Sequence, residues 1–310
     1  MAAGRLTESA SARTFSRRRN AASFADRGML SVTFLSAALS ILTTIAIVVI
    51  LFSQSAPFFA KVSVAEFFTG TEWNPAGDKY GVLPLATATL IVTIGSAFIS
   101  IPLGMLVGIF LAEYASRRVR NIVKPALELL AGVPTVVYGY FALTTITPLL
   151  KSIFPEIQQF NLLSGAIVVG IMTLPLVSSL CEDAITAVPR SMREGAFALG
   201  STKFETIRLV VVPSALSGIM ASFILAISRA VGEVMAVAMA AGLNPKLTLN
   251  PLEGSMTMTA MIVNTSKGDI ARGTMTYQSI FAVALALFLI TLSLNLIANY
   301  LVQKYRRGYA

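Results

Sequence analysis

Six apolar stretches, at residues 29–52, 82–113, 125–150, 162–181, 214–242 and 277–302, alternate with shorter polar segments along the chain. A helix needs about 20 apolar residues to cross the roughly 30 Å hydrocarbon core of a bilayer, and each stretch is long enough. The pattern predicts an all-α integral membrane protein with six transmembrane helices. Prolines 84, 102, 134, 148 and 175 fall inside these stretches. Within a membrane, neighbouring groups satisfy the carbonyls a proline frees, so they mark kinks. Gly104 and Gly108 have the spacing that lets two helices approach closely, which reads as packing. The stretch at 29–52 has a rival reading as a cleaved signal peptide. It is too long for one, and Pro57 follows the small residues at 53–56, so a retained anchor is expected.

The polar segment at 189–213, PRSMREGAFALGSTKFETIRLVVVP, is organised differently. Pro189 suits the first position of a helix, where its missing N–H is not needed. Gly200 suits the left-handed residue that closes one. Thr202 and Glu205 have the spacing of a capping box, in which hydroxyl and carboxylate each satisfy a free backbone N–H. Two helices meeting at a sharp glycine corner are predicted, held out of the membrane and shaped to enter a partner's socket. The bland alternative is a connector with no partner.

Composition agrees with the spans: 55% of the 310 residues are hydrophobic and 13% charged. The net charge of +9 would suit a nucleic-acid binder, but most of the 24 lysines and arginines lie in the tail at 1–28, the second and fourth loops and the C-terminus. That alternation is the mark of membrane orientation, and it puts both termini and the 189–213 segment in the cytoplasm, with no nucleic-acid partner. The tail, with Arg17, Arg18 and Arg19 in a run, reads as disordered. A single cysteine, Cys181, excludes an internal disulfide, and the absence of histidine removes the commonest metal ligand and general base. No catalytic residue, metal or cofactor is expected.

Two charges stand where they are costly. Arg229 and Glu233 lie within the fifth stretch. Counted from Pro213, Arg229 is about 24 Å along a helix, near or beyond the bilayer centre. Such charges cost at least about 2.5 kcal/mol each and normally face the bundle interior or a water-filled path. Four residues apart, they share a helix face. They either neutralise each other and lock helices, or serve an anion, because a guanidinium offers phosphate two donors at once. Near the external mouth, Thr257 and Thr259 offer hydroxyls, or pack at the lip. Trp73, the only tryptophan, reads as an interfacial anchor of the first external loop. Glu182 and Asp183 read as solvated charges at a helix end.

Glu194-Gly195-Ala196, Gly200 and Val210-x-Val212-Pro213 resemble the E-A-A-x3-G-x9-I-x-L-P loop of ABC importer permeases, with glycine at the second alanine position and valines as the closing aliphatics. The string at 67–75, ELLAGVPTVVYGYF and RAVGEVMAV are similar to the phosphate-specific branch of that family, the PstC permeases. The resemblance covers residues 29–310 and implies an ABC type I importer permease fold in a bacterial inner membrane. It implies that Glu194, Ala196, Gly200, Thr202 and Glu205 form the coupling segment docking on a cytoplasmic ATPase. It also implies that Arg229 and Glu233 serve phosphate translocation, and that the partners are a second permease (PstA-like), an ATPase dimer (PstB-like) and a phosphate-binding protein (PstS-like).

The chain shows no nucleotide site of its own: Gly195 and Gly200 have P-loop spacing, but Ser201 stands where the lysine belongs and no strand precedes. ATP hydrolysis is therefore expected on another polypeptide. An ABC permease for another anion, an ion-coupled secondary transporter and a membrane scaffold without transport are the competing readings.

Overall fold

The computed structural model describes the backbone over residues 3–268 and 270–306, and side chains over 28–268 and 270–300 and at Gln303. The tail expected at 1–28, Gly28 apart, lies outside the residues described with their side chains. The backbone is helical from α1 (Ala3–Phe59) onward. The chain divides into two units at 53/54, and the unit from Gln54 carries the features that follow.

Among the described residues six helices are long and apolar enough to span a membrane: Gly28–Phe59, Leu83–Tyr114, Thr135–Ile153, Leu162–Thr186, Lys203–Val231 and Met275–Tyr300. Between the first two lie α2 (Val64–Thr69) and a two-stranded antiparallel hairpin, β1 (Trp73–Asn74) and β2 (Lys79–Tyr80), which leads directly into α3 (Leu83–Ile109).

The third span is shorter than expected. Residues 125–132 belong to a separate amphipathic helix, α4 (Arg117–Gly132). It ends because Pro134 disfavours helical geometry in the residue before it, and Val133 is extended, with ψ 132°. The span proper then runs through α5 (Thr135–Phe141) and α6 (Thr147–Ile153). The fourth span is α7 (Leu162–Thr186), started by Asn161, whose side chain accepts from the Ser164 N–H at 2.7 Å.

The fifth span also moves. It begins at Lys203, through α9 (Lys203–Thr206) into α10 (Val212–Val231), and stops at Gly232 instead of Gly242. A short α11 (Met235–Ala241), a loop, α12 (Met258–Ser266) and α13 (Met275–Arg306) complete the chain. In the third and fifth spans a wide π turn, Ala142–Ile146 or Ile207–Val211, sits just before Pro148 or Pro213. Neither proline can donate to the carbonyl one turn back, and the wider turn takes up the mismatch without breaking the rod.

The bundle thus has a corner end, where α7 gives way to 189–203, and a hairpin end. At the hairpin end Phe58, Phe67, Trp73, Tyr80, Met256 and Met258 form one buried cluster. Trp73 packs edge-to-face on Tyr80, with ring centroids 5.9 Å apart, and belongs to this buried cluster. In the middle, α3 and α7 pack with almost no gap. A Cβ on Gly104 would lie 2.6 Å from Val177, and one on Gly108 2.7 Å from Cys181, so the glycine spacing does serve close helix approach.

Candidate coupling and translocation sites

The corner forms as its residues require. Pro189 is extended (φ −57°, ψ 139°) and precedes the helix, so α8 (Arg190–Ala198) starts one residue later than expected. Gly200 takes φ +85°, a left-handed conformation that a side chain would strain, with open space where a Cβ would sit. The Thr202 N–H donates to the Glu205 carboxylate at 2.8 Å, and the Glu205 N–H to the Thr202 hydroxyl at 3.3 Å. This is the reciprocal cap expected from the spacing. Ala196 is buried while Glu194 is exposed. Phe197, Phe204 and Leu199 are exposed, Leu199 at 89%, so the corner presents large apolar side chains at its tip.

Two charged clusters brace this end, and neither was visible in the sequence. Arg193 on α8 reaches back to Glu113, which lies just beyond α3. Arg120 and Lys124 on α4 bind the buried carboxylate of Glu182 at 2.8 and 3.3 Å, and Lys124 also lies 3.5 Å from Asp183. Glu182, with a side chain 4% exposed, is therefore a buried ion-pair partner and not the solvated charge expected, whereas Asp183 is exposed. The expectation failed because the neutralising cations come from a separate helix. A cavity of about 550 Å³ lies between α4 and the end of α7.

Arg229 and Glu233 do not share a helix face. The helix ends between them, at Gly232, and Glu233 accepts from the Ala236 N–H at 3.3 Å at the start of α11. Glu233 is buried, at 9% exposure. Arg229 lies on the open stripe of α10 that includes Ser217, Ala221 and Leu225, and among the described residues it has no ion-pair partner. The fifth span starts at Lys203, well beyond the corner end of α7: Ser222 meets Cys181, five residues from the end of α7, so Arg229, about 10 Å further along, is level with the middle of that helix. The sequence offered a warning in Gly232, a residue that readily ends a helix.

Thr257 and Thr259 are buried, and their hydroxyls are committed within the chain. Thr259 donates to the Glu233 carbonyl at 2.7 Å, leaving its oxygen to accept from Thr257 at 3.2 Å. Thr257 in turn caps α12, accepting from the Ala260 N–H at 3.3 Å. They pin α12 against the break after α10 and have no spare donor.

Residues 104–307, which include the corner, Arg229 and Glu233, match the model of the binding-protein-dependent transport system inner membrane component family. The chain belongs to that family. It is 35% identical over 300 residues to the probable ABC transporter permease protein YqgH of Bacillus subtilis, covering 96% of each chain. It is 34% identical to the phosphate transport system permease protein PstC of Mesorhizobium japonicum, over 77% of this chain and 78% of that one. It is also 30% identical to PstC 1 of Mycobacterium tuberculosis, over 80% and 84%.

Solved structures of importers extend the likeness in fold. A bacterial alginate ABC transporter in complex with an alginate-bound periplasmic protein gives a TM-score of 0.61 at 15% identity, over 87% of this chain and 94% of that one. An inward-facing MetNI methionine transporter gives 0.58 at 16%, over 76% and 99%. The inner membrane component therefore has the ABC importer permease fold, a multi-pass helical architecture.

Proposed function

We propose that this chain is the permease subunit of an ATP-driven phosphate importer, forming half of a translocation path and driven through its corner by an ATPase on another polypeptide. The observation that carries the substrate is the similarity, over most of both chains, to permeases named for phosphate transport. The corner end faces the cytoplasm, as its basic excess indicates. Both termini lie there too, in a bacterial inner membrane. The partners are a PstA-like permease, a PstB-like ATPase dimer and a PstS-like phosphate-binding protein. Within the corner, Gly200 sets the bend, the Thr202–Glu205 cap stiffens its second helix, and Ala196 seats α8, leaving Glu194 and the apolar tip for the ATPase.

Arg229 supplies what an oxyanion needs. It is a permanent cation on an open helix face, and among the described residues no carboxylate forms an ion pair with it. Glu233 has a structural part beside it. Its carboxylate holds the start of α11, so it sets where the helix breaks beside Arg229. Thr257 and Thr259 support that break and do not touch substrate.

Purification of the tagged chain in mild detergent tests the assembly: a second permease and an ATPase should accompany it. Isolation of the chain alone, competent for anion accumulation, would instead support an ion-coupled carrier. A permease for another anion is the second reading, favoured by the substrate-neutral name of the Bacillus relative. Competition of phosphate uptake by sulfate and molybdate separates the two.

A further inference from the structure

The joint between α7 and α8 should be slack. Ala187 and Val188 still donate back to the Asp183 and Ile185 carbonyls, but Pro189 is extended and has no N–H, so among the described residues no backbone hydrogen bond ties α8 to α7. One side chain does. Arg193 donates from Nε and Nη2 to the Glu113 Oε1 atom at 3.1 and 2.9 Å, from Nη2 to the Ile185 carbonyl at 2.7 Å, and from Nη1 to the Val188 carbonyl. The pair is largely shielded, with side chains 17% and 11% exposed. A planar fork making four charge-assisted bonds to three points is rigid in a way a lysine is not.

What Arg193 grips matters. Glu113 ends the α3 span, and Ile185 belongs to the last turn of α7. Those two helices are in direct contact at Gly104 and Gly108, with no room for a methyl group between them, so they move as one body. Meanwhile the corner continues without a break through α9 and its π turn into α10. A push on α8 thus has two exits: one along the backbone into α10, the other through Arg193 into the α3–α7 block.

We propose that Arg193 and Glu113 are positioning residues for transport, a clamp that transmits the ATPase stroke from α8 to the α3–α7 block. Without the clamp the Val188–Pro189 joint bends and absorbs the stroke. The inference rests on the importer reading given above.

The test uses the whole complex in proteoliposomes with inorganic phosphate and its binding protein, reading both ATP hydrolysis and phosphate uptake. Arg193→Met keeps an apolar stem of similar length but removes the fork. It should hydrolyse ATP at near the parent rate while uptake per ATP falls about tenfold, with Arg193→Lys in between. Because Arg193 adjoins Glu194 at the docking surface, Glu113→Gln is the decisive variant: it lies in the turn that follows α3, outside the 189–213 segment. It should copurify with the ATPase normally and show the same loss of uptake per ATP. A parent-like uptake-to-ATP ratio in Glu113→Gln would overturn the clamp, and so would equal loss of hydrolysis and uptake, which marks a merely structural role. If the unaltered complex shows no ATP-driven phosphate uptake, the importer reading fails, which is a separate outcome.

Discussion

The two ends of the bundle are both packed around apolar clusters, but only the corner end adds a set of ion pairs to its packing. At the hairpin end the fold is fixed by burial: Phe58 and Phe67 are fully buried, and Trp73 and Tyr80 stack against each other within the same cluster. At the corner end an apolar cluster that includes Ile185, Val188, Val211 and Ile219 is joined by ion pairs, from Arg193 to Glu113 and from Arg120 and Lys124 to Glu182. Apolar packing tolerates little displacement, because a small gap forfeits dispersion contacts. Ion pairs at a partly wet surface are weaker and can be remade in new geometry. The contrast suits a machine whose hairpin end keeps its shape while its corner end is pushed.

The largest expected effect is at the hairpin end. Phe67→Ala should destabilise the protein by about 3–5 kcal/mol through lost burial and a residual cavity, read as a lower midpoint of thermal unfolding in detergent. An unchanged midpoint would mean that this cluster is not the rigid half. Gly108→Leu, which forces a side chain against Cys181, should cost about 1–3 kcal/mol by overpacking α3 against α7. Gly200→Val should cost about 1–2 kcal/mol locally, since a branched side chain resists φ +85°. Its effect should appear as weakened ATPase copurification with the spans intact.

Smaller still is Glu182→Ala. Its cations are about one-third exposed and can turn to water, so the loss should be about 1 kcal/mol or less. Hydrogen exchange should nonetheless quicken across 117–132 while α7 stays protected. The smallest effect concerns pH. Burial alone would pull the Lys124 ammonium down, but Glu182 and Asp183 outweigh it and hold its pKa above the usual lysine value. A raised pKa gives stabilisation that is complete below the ordinary lysine range and is lost only as pH climbs through the folded value. A spin label at Ile122→Cys should therefore keep the same mobility from pH 6 to 9, loosening only in stronger alkali.

Local chemistry made the corner legible. Gly200 and the Thr202–Glu205 box each act over a few residues, and both form as their spacing requires. The spans were legible for the same reason, as continuous apolar length. The start of the third span and the end of the fifth were not, because hydropathy averages over a break. Residues 125–132 are apolar enough to merge with the third span, although Val119, Ile122, Val123, Ala126, Leu129 and Leu130 carry the spacing of an amphipathic helix. Gly232 likewise vanished inside an apolar run, and the shared face inferred for Arg229 and Glu233 vanished with it. Arg193 and Glu113 stand 80 residues apart, Arg120 and Glu182 62 apart. No short-range pattern announces such pairs; only the packing of α3 on α7 brings them together.

ATP-dependent accumulation of radiolabelled phosphate in proteoliposomes tests the central claim most directly, with this chain, a second permease, the ATPase and the binding protein reconstituted together. The expected result is uptake against a gradient that requires ATP on the side of the Gly200 corner and disappears in Arg229→Gln. Accumulation by the purified chain alone without ATP, or full uptake by the Arg229→Gln complex, would contradict it.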